Sequence, residues 1–569
     1  MTHKSNKSFL CSKHIYLFML LSAIGLSLKY IFIDFCVDSE YQIAMAYRLA
    51  NGDIMFKEMW EVHQTSAFLC AIFLKIYLLL FNTTTGVVLY LQFIGIVLDG
   101  ALAYLIYTVI YKLFNKKDVA FAMAWVSFVV SPKDVPIAEF ANMQVWFCTL
   151  LCIMMFLYHQ TGKRRFILLA AWSLCGAVLS YPSCIILVFA IIFLFIRQDQ
   201  KKDLLLFLGI CVTTGLLYLY FLFKHITFSE FIYSIENMLA LEPTHTISLI
   251  DKFFAYIADV GILAIVLALA YVFSYVIAII ICKNSKKDNE FTSILTSSLF
   301  FLIMLCISIY SVIKWQTYTR YTYSMLFITI IIIGLRYTNY LSADALYLYN
   351  CGTTISIFNF IATLLLTDLR FIDSIPYLLI AVIVAFLPIS EMLRTVNNIF
   401  NTKKLFKALL LCGILFLVFR NIYIIKPFNS QIQPITAIRG IVKEGPAFGM
   451  ISEYMGAYMQ NESVKEWEQY VPNGSSIYLV GSSVNALGYL YSDTTIAAPS
   501  VMSTPWYNDC IPKYWTLNPD RYPDIVIVSC WYGELDPLLD KNTWIFKWID
   551  EDFKPSHYVD GKYWRYYFK

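Results

Sequence analysis

Charged residues are scarce in this chain. Asp, Glu, Lys and Arg make up 14% of its 569 residues, whereas 59% are hydrophobic and the mean hydropathy is +0.64. So little polar surface cannot cover a globule of this size in water. The composition therefore excludes an ordinary soluble protein and predicts an α-helical polytopic membrane protein that uses lipid as part of its solvent.

Signatures of several other protein classes are missing as well. The net charge of +4 comes without a basic stripe or a nucleic-acid motif, which argues against nucleic acid as a partner. The 14 cysteines include no CxxC pairs with metal-ligand spacing, and most lie in apolar runs, where a thiol packs as a small hydrophobe. No metal site is predicted, and a divalent-metal requirement stays open. Cys510 and Cys530 are the pair that an oxidising compartment would allow to join.

Long apolar runs are what the chain has instead. The first, from about Ile15 to Phe35, follows lysines as a signal peptide does, but it is long enough to span and lacks a small-residue cleavage site. We therefore predict a retained first helix. Most of the runs suit a bilayer core of roughly 30 Å. Twelve further runs lie near 87–111, 119–131, 141–158, 166–181, 184–196, 203–223, 256–282, 292–313, 322–336, 347–366, 374–393 and 405–425.

The basic residues between these runs predict the orientation. If thirteen helices alternate and the N-terminus is cytoplasmic, every basic cluster falls on the cytoplasmic side, as the positive-inside rule requires. The predicted location is the bacterial inner membrane, with the C-terminal domain extracytoplasmic. The clusters are Lys112/Lys116/Lys117, Lys163/Arg164/Arg165, Arg197/Lys201/Lys202, Lys283/Lys286/Lys287 and Arg394/Lys403/Lys404/Lys407.

One apolar run does not fit this alternation. Residues 67–81 are short for a span and include Lys75, and a span there would put the next basic cluster on the wrong side. The run predicts a helix along the outer membrane interface. Residues 34–86 then form a long external loop that also contains a helix near Ser39–Ala50.

This first external loop carries the candidate catalytic residues. Asp38 and Glu40 follow the first span directly, where a carboxylate facing a cavity is suited to act as a general base. Asp38 is equally suited to cap the helix near Ser39, and Glu40 to be a solvated first-turn acid. Lys57 and His63 are candidates for binding a lipid phosphate, or else surface residues.

Two later external loops add candidates. Glu139 opens an apolar helix on the predicted outer side, where it would either share the cavity with Asp38 or simply complement the helix dipole. Lys314 and Arg320 lie outside despite the positive-inside bias, among aromatic residues typical of a membrane interface. They are candidates for a donor-phosphate contact or for snorkelling. The loop at about 224–255 is long enough to be a lid.

The C-terminal part, 426–569, has a different pattern. A helical pattern at about 453–470 precedes strand-length apolar runs near 475–481, 494–500 and 524–529 and a final aromatic segment. This order predicts a small α/β domain. GSSVNALG, which follows the first run, lacks GxGxxG spacing. A structural or acceptor-recognition role is therefore favoured over cofactor binding.

The first-loop motifs resemble those of the GT-C class of membrane glycosyltransferases. The resemblance is to the dolichyl-phosphate-mannose protein mannosyltransferase family (glycosyltransferase family 39-like) and its bacterial relatives such as lipid A aminoarabinose transferase. The layout of spans is also similar, although recognisable motifs cover only about residues 38–80. The matching segments are Asp38-Ser39-Glu40-Tyr41, AYRLANGD and MWEVHQTSAFLCAIFLKIY.

This chain departs from the family pattern at two points. Ser39 separates two acids that are adjacent in the family, and of the two we favour Asp38 as the catalytic match. His63-Gln64-Thr65 stands where the family has Lys/His-Pro-Pro, which keeps a possible cation at His63. Glu139 is similar to an acid in the family's second external loop. Tyr41, Lys57 and His63, together with Lys314 and Arg320, are the predicted donor-phosphate or substrate contacts.

The resemblance implies an inverting transfer of a hexosyl or pentosyl group from a polyprenyl-phosphate-linked donor. The acceptor would be a lipid, glycan or protein at the outer face of the cytoplasmic membrane. Apart from the lipid-linked donor, no cofactor is predicted. The competing hypotheses are a flippase or transporter of lipid-linked glycans, a polymerase or ligase of surface polysaccharide, and a structural scaffold.

Overall fold

The structure is a computed structural model. It describes residues 13–33, 35–131, 137–240, 249–283, 289–313, 319–366, 369–395, 402–426, 428, 433–481, 486–502, 510–537, 539 and 541–569.

Helices dominate the part of the chain before the C-terminal domain. Those that precede residue 241 are α1 (Lys13–Phe32), α2 (Val37–Asn51), α3 (Phe68–Phe81), α4 (Val87–Phe114), α5 (Lys117–Val130), α6 (Phe140–Thr161), α7 (Arg164–Ser180), α8 (Leu187–Arg197), α9 (Lys201–Phe223) and α10 (Phe228–Ala240). The next seven are α11 (Leu249–Lys283), α12 (Asn289–Ile313), α13 (Thr319–Arg336), α14 (Ala343–Leu366), α15 (Phe371–Ser374), α16 (Leu379–Thr395) and α17 (Thr402–Tyr423).

Every one of the thirteen predicted spans coincides with a helix, because each run is apolar and almost without charge. By length and composition, nine segments of the described chain could cross a membrane. Eight of them match predicted spans and the ninth, Gln64–Phe81, contains the run assigned to the interface. The chain is therefore a polytopic helical membrane protein, and the number of thirteen crossings stays a prediction.

Contacts between distant helices show which helix ends lie together. Lys116, between α4 and α5, forms an ion pair with Glu391 near the end of α16. The Tyr158 hydroxyl, near the end of α6, donates to Asp203 in the first turn of α9 at 2.6 Å. The first contact joins the neighbourhoods of two predicted basic clusters and the second joins those of two others, and in each pair the two clusters lie on the same side of the bundle, as alternating spans require. Which membrane face they occupy stays a prediction.

A buried lysine joins the first and last helices of the bundle. The Lys29 ammonium donates to the carbonyl oxygens of Asn421 and Ile424, both at 2.6 Å. The carbonyls in the last turn of a helix have no partners within that helix, and a cation there also complements the helix dipole. The Asn421 amide continues the contact by donating to the carbonyl of Val129 on α5 at 2.9 Å.

Close packing within the bundle depends on small residues. A Cβ added at Gly334 on α13 would lie 2.6 Å from the Cβ of Ala385 on α16. Small residues at such crossings let two backbones approach closely in a membrane, where van der Waals contact replaces the hydrophobic effect as the driving force.

The residues that follow α17, most of them in the predicted C-terminal domain at 426–569, contain a mixed sheet. Its strands lie in the order β6-β5-β7-β10-β9, with β8 beside β7. β5, β6 and β7 are parallel, whereas β10 is antiparallel to β7 and β9. The elements are β1 (Ile424–Ile425), β2 (Gln433–Pro434), β3 (Ile438–Ile441), β4 (Ile451–Glu453), α18 (Tyr454–Tyr470), β5 (Ser476–Val480), β6 (Thr495–Ile496), α19 (Cys510–Leu517), β7 (Ile525–Trp531), β8 (Glu534–Leu535), α20 (Trp544–Trp548), β9 (His557–Asp560) and β10 (Trp564–Phe568).

The predicted small α/β domain is confirmed, with β6 shorter than its apolar run. The hydrophobic core has two main clusters. One lies within the membrane bundle, and the other unites the C-terminal domain with α2, α3 and the start of α4. The buried face of α3 belongs to this second cluster, which supports its predicted place at the interface. The division of the chain at residue 426 stays a prediction, because the first external loop packs with the C-terminal residues.

Candidate active site

The acidic pair of the first external loop stands in the first turn of α2. This helix begins at Val37 and its N-cap is Cys36, so the expectation that Asp38 caps the helix is wrong. Asp38 is exposed at the second helical position, where a negative charge complements the helix dipole. Glu40 is only 3% exposed. Two residues along a helix differ by about 200° in direction, so the two carboxylates lie on different faces.

Glu40 faces the C-terminal domain instead of solvent. Burial raises the pKa of its carboxyl to about 8, although a hydrogen bond with the backbone of Leu487 acts in the opposite direction. Tyr491 is near enough that the Glu40 charge raises the pKa of its hydroxyl, after the larger effect of burial. The expectation that Glu40 is a solvated first-turn acid is therefore wrong. A carboxyl enclosed in this way is poorly placed to meet a substrate.

Glu40→Gln is expected to stabilise the protein at pH 8 by about 2 kcal/mol and to change little at pH 5. The unfolded chain loses the Glu40 proton near its ordinary pKa of 4.5, whereas the folded protein keeps it to about pH 8. The wild type therefore loses stability as the pH rises between these two values, and glutamine does not titrate. The full pKa shift would correspond to a larger difference in the free energy of unfolding. We expect a smaller one because a buried site relaxes and admits water on ionisation.

Thermal unfolding in detergent at pH 5, 6.5 and 8 measures this difference. Glu468→Gln, at an exposed position of α18, is the matched control and should show the same difference from wild type at each pH. A Glu40→Gln effect that is equal at pH 5 and pH 8 would contradict the assignment of a buried, neutral carboxyl.

A second buried acid of the loop binds the C-terminal domain. The Glu61 carboxylate accepts from Ser500 Oγ at 2.7 Å, from the Val501 amide at 2.5 Å and from the Tyr41 hydroxyl at 3.1 Å. Burial raises the pKa of Glu61 to about 6, and the Arg48 charge opposes this rise. Tyr41, which the sequence suggests as a substrate contact, is buried and holds Glu61.

Arg48 forms the largest polar junction between the loop and the C-terminal domain. Its guanidinium is 1% exposed and donates to Asp53 at 2.7 Å and to the carbonyl of Ala498 at 2.8 Å. It also donates to the Glu58 carbonyl. Asp53 accepts a second charged donor, Arg521, at 2.7 Å. Sequence reasoning assigned no role to Arg48 or Glu61, although both lie in the motifs that carry the family resemblance.

The loop also meets the start of α6, where the other predicted acid lies. The His63 ring stacks on Phe140 with centroids 4.3 Å apart and on Tyr181 at 5.8 Å. Phe140 directly follows Glu139, so the structure brings His63 and Glu139 together. Glu139 is the N-cap of α6, and its carboxylate accepts from the Asn142 amide at 2.8 Å. Its expected place at the helix N-terminus is therefore confirmed, and the side chain is partly exposed.

The position of Asp38 along α2 relates it to this group. Gln42 lies one helical turn after Asp38 on the same face of α2, about 6 Å along the axis. Its Oε1 accepts from Ser66 Oγ at 3.2 Å, and Ser66 Oγ also donates to the carbonyl of His63 at 2.8 Å. The face of α2 that carries the exposed carboxylate is thus directed toward the turn that holds His63.

The remaining predicted cations are placed less directly. Lys57 is half-buried and lies 3.8 Å from Glu58 in an ion pair. Lys314 lies outside the described residues. Arg320 belongs to the first turn of α13, but its side chain is outside the described part of the structure. Phosphate binding by these residues stays a prediction.

Helix α10 covers the middle of the first loop. Phe231 packs against Phe56 with ring centroids 4.9 Å apart, and Tyr233 packs against Trp60 at 6.1 Å. The predicted lid segment therefore includes a helix that rests on the loop and contacts α19 through Asn237 and the Cys510 thiol, 3.7 Å away.

Metal binding and disulfide pairing receive no support from the described residues. Within them, no group of three or more His, Cys, Asp or Glu side chains is arranged to hold a metal ion. Cys510 and Cys530 are not joined in a disulfide, and the Cys530 thiol contacts the carbonyl of Gly561 at 3.8 Å.

No family model and no curated protein matches this chain. Among solved structures, it is similar to an archaeal oligosaccharyltransferase, AglB from Archaeoglobus fulgidus, in complex with an inhibitory peptide and a dolichol-phosphate. The TM-score is 0.40 at 10% identity, over 91% of this chain and 70% of that one. It is also similar to ArnT from Cupriavidus metallidurans in the apo state, with a TM-score of 0.39 at 11% identity, over 97% of both chains. At these TM-scores neither likeness assigns a function.

Proposed function

We propose that this protein transfers a sugar from a polyprenyl-phosphate-linked donor to an acceptor at the outer face of the cytoplasmic membrane. The observation that carries the proposal is the exposed carboxylate of Asp38 on α2, a helix that packs with the C-terminal domain. It stands on the face of α2 that leads to His63 and Glu139. The first-loop motifs supply the reaction class.

The reaction would be one displacement at the anomeric carbon of the donor sugar. A lone pair of the acceptor oxygen or nitrogen forms the new bond while the carbon–oxygen bond to phosphate breaks, and its electrons leave with the polyprenyl phosphate. Asp38 takes the acceptor proton as general base. A single displacement inverts the configuration at the anomeric carbon.

Positive charge is needed where the leaving phosphate gathers negative charge. His63 and Lys57 are the candidates in the first loop, and Lys314 and Arg320 are candidates in the later loop. Apolar surfaces on α9 and α11, including Leu216, Phe221 and Ile257, are exposed and suit the lipid tail of a donor as well as bulk lipid. Each buried CH₂ of such a tail contributes about 0.8 kcal/mol to binding.

Transport of a lipid-linked glycan is the second candidate function, and one observation favours it. Asp99 is the thirteenth residue of the 28-residue helix α4 and is 8% exposed, which places an acid near the middle of a predicted span. Ionisable residues at this depth are typical of transport pathways. Ser127 and Thr149 line the same small cavity.

Reconstituted proteoliposomes distinguish the two functions. The purified chain is given polyprenyl-phosphate donors labelled in the sugar, with an envelope lipid and glycan extract as acceptor. Transfer should produce labelled acceptor and free polyprenyl phosphate in equal amounts. Movement of the intact donor across the bilayer, without cleavage of the sugar–phosphate bond, would support transport and contradict transfer.

A further inference from the structure

The turn between β7 and β8 displays two large aromatic side chains. Trp531 is 43% exposed and Tyr532 is 64% exposed, and their ring centroids lie 5.9 Å apart. The turn belongs to the sheet of the C-terminal domain and lies outside each segment of the described chain that is long and apolar enough to cross a membrane. Large aromatic side chains that are exposed outside lipid often belong to binding surfaces.

The backbone at this turn is unfavourable for the residue it carries. Tyr532 has φ of 51° and Gly533 has φ of 83°. A two-residue turn with both central residues at positive φ strongly prefers Asn-Gly or Asp-Gly, and a bulky residue there costs stability. The backbone of the turn therefore does not favour a tyrosine at this position. We attribute its presence to the exposed ring.

Two cations hold the turn and its rings in place. The Lys562 ammonium donates to the Tyr458 hydroxyl and lies 4.4 Å from the centre of that ring and 5.6 Å from the centre of the Tyr532 ring. The guanidinium of Arg565 donates to the Gly533 carbonyl at 2.8 Å. The rings are thus fixed before any ligand arrives, which lowers the entropy cost of binding.

Each of these cations is paired with an acid. Glu462 lies 3.3 Å from the Lys562 ammonium, and Asp560 accepts from Arg565 at 3.1 Å. The surface around the rings therefore leaves neither of these two cations unmatched to select an anionic ligand. It suits a neutral ligand that has one apolar face and several hydroxyls.

The position of the turn relates it to α2, the helix that carries Asp38. β5 and β7 are parallel with Val480 opposite Val528, so Trp531 extends the same sheet edge by three residues, about 10 Å. After β5 the chain passes to a short helix that includes Leu487, whose backbone meets Glu40 on α2. Ligands of α/β sheets commonly bind outside the carboxyl ends of parallel strands.

We propose that this aromatic surface, formed by Trp531, Tyr532, Tyr458 and the adjacent Tyr454, binds a neutral saccharide. Tyr454 continues the surface because its ring stacks parallel to that of Tyr458, 5.8 Å away. The C–H face of a pyranose packs against the rings, while the paired Glu462 and Lys562 accept and donate hydrogen bonds at its hydroxyls. The assignment of this saccharide as the acceptor of the transfer rests on the proposed function.

Tyr532→Asn separates binding from folding. Asparagine tolerates positive φ, so the variant should unfold at the same temperature as the wild type or above it, while saccharide affinity falls about tenfold, a loss of about 1.4 kcal/mol. Trp531→Ala should weaken binding similarly. Phe448→Ala is the matched control, because Phe448 is 48% exposed but lies beside Gly86, just before α4.

The full chain in nanodiscs is titrated with maltohexaose and chitohexaose, and tryptophan fluorescence and calorimetry report binding. The proposal is overturned if neither sugar binds the wild type, or if Tyr532→Asn and Trp531→Ala bind as well as Phe448→Ala. Quenching by brominated phosphatidylcholine that disappears in Trp531→Phe would also overturn it, since the surface would then contact the membrane. The titration contains no donor, so transfer without saccharide binding, or binding without transfer, shows which of the two proposals fails.

Discussion

Asp38→Asn is expected to lower the rate of sugar transfer by a factor of about 10²–10⁴. The substitution removes the proton acceptor and preserves the size of the side chain. Asp38 is exposed in the first turn of α2, so the change should leave the folded protein nearly as stable as before. Transfer of labelled sugar in proteoliposomes, at equal amounts of folded protein, measures the loss.

Two further variants make the assignment specific. Glu40→Gln should keep most of the transfer activity, because Glu40 is buried against the C-terminal domain. Asp520→Asn, at an exposed acid far along the chain, controls for the loss of one negative charge. Undiminished transfer by Asp38→Asn would exclude this residue as the base and direct attention to Glu139, whose carboxylate already accepts one hydrogen bond from its own helix.

The helices could be predicted from the sequence because their signal is local. An apolar run such as 203–223 contains within itself every partner that its backbone needs, and it forms α9 over almost the same residues. The start of α2 shows where local reasoning fails. Asp38 is a good capping residue, yet the Phe35 amide donates to the carbonyl of Lys426 at 3.2 Å. Next to this long-range contact, Cys36 has an extended backbone and is the N-cap. The helix therefore begins at Val37, before Asp38.

The candidate site divides in the same way. The sequence placed Asp38, Glu139 and His63 in external loops, and the structure places them on neighbouring elements. The sequence could not show that Glu40 is buried or that the Glu61 carboxylate accepts hydrogen bonds, because their partners lie in the C-terminal domain. Ser500 and Glu61 are 439 residues apart in the chain. No periodicity or spacing within a loop indicates a contact of that kind.

The enclosed guanidinium of Arg48 is the clearest example, and its removal should have the largest effect on stability. Arg48→Met is expected to destabilise the protein by about 3–5 kcal/mol, because removing one member of a buried ion pair leaves unmet partners behind. Asp53 keeps Arg521, but the carbonyls of Ala498 and Glu58 lose their donor. Arg48→Lys keeps the charge without the planar fork, so an intermediate loss is expected.

Thermal unfolding and hydrogen exchange of the full chain in detergent measure these losses. Lys465→Met is the control, since Lys465 forms only exposed ion pairs, with Glu462 at 3.4 Å and Glu444 at 4.0 Å, and should change stability by less than about 1 kcal/mol. In Arg48→Met, faster exchange should appear in residues 37–63 and 486–502 together, because the guanidinium joins these two segments. Faster exchange confined to one segment, or a loss no larger than that of Lys465→Met, would show that the first external loop holds its position without the C-terminal domain.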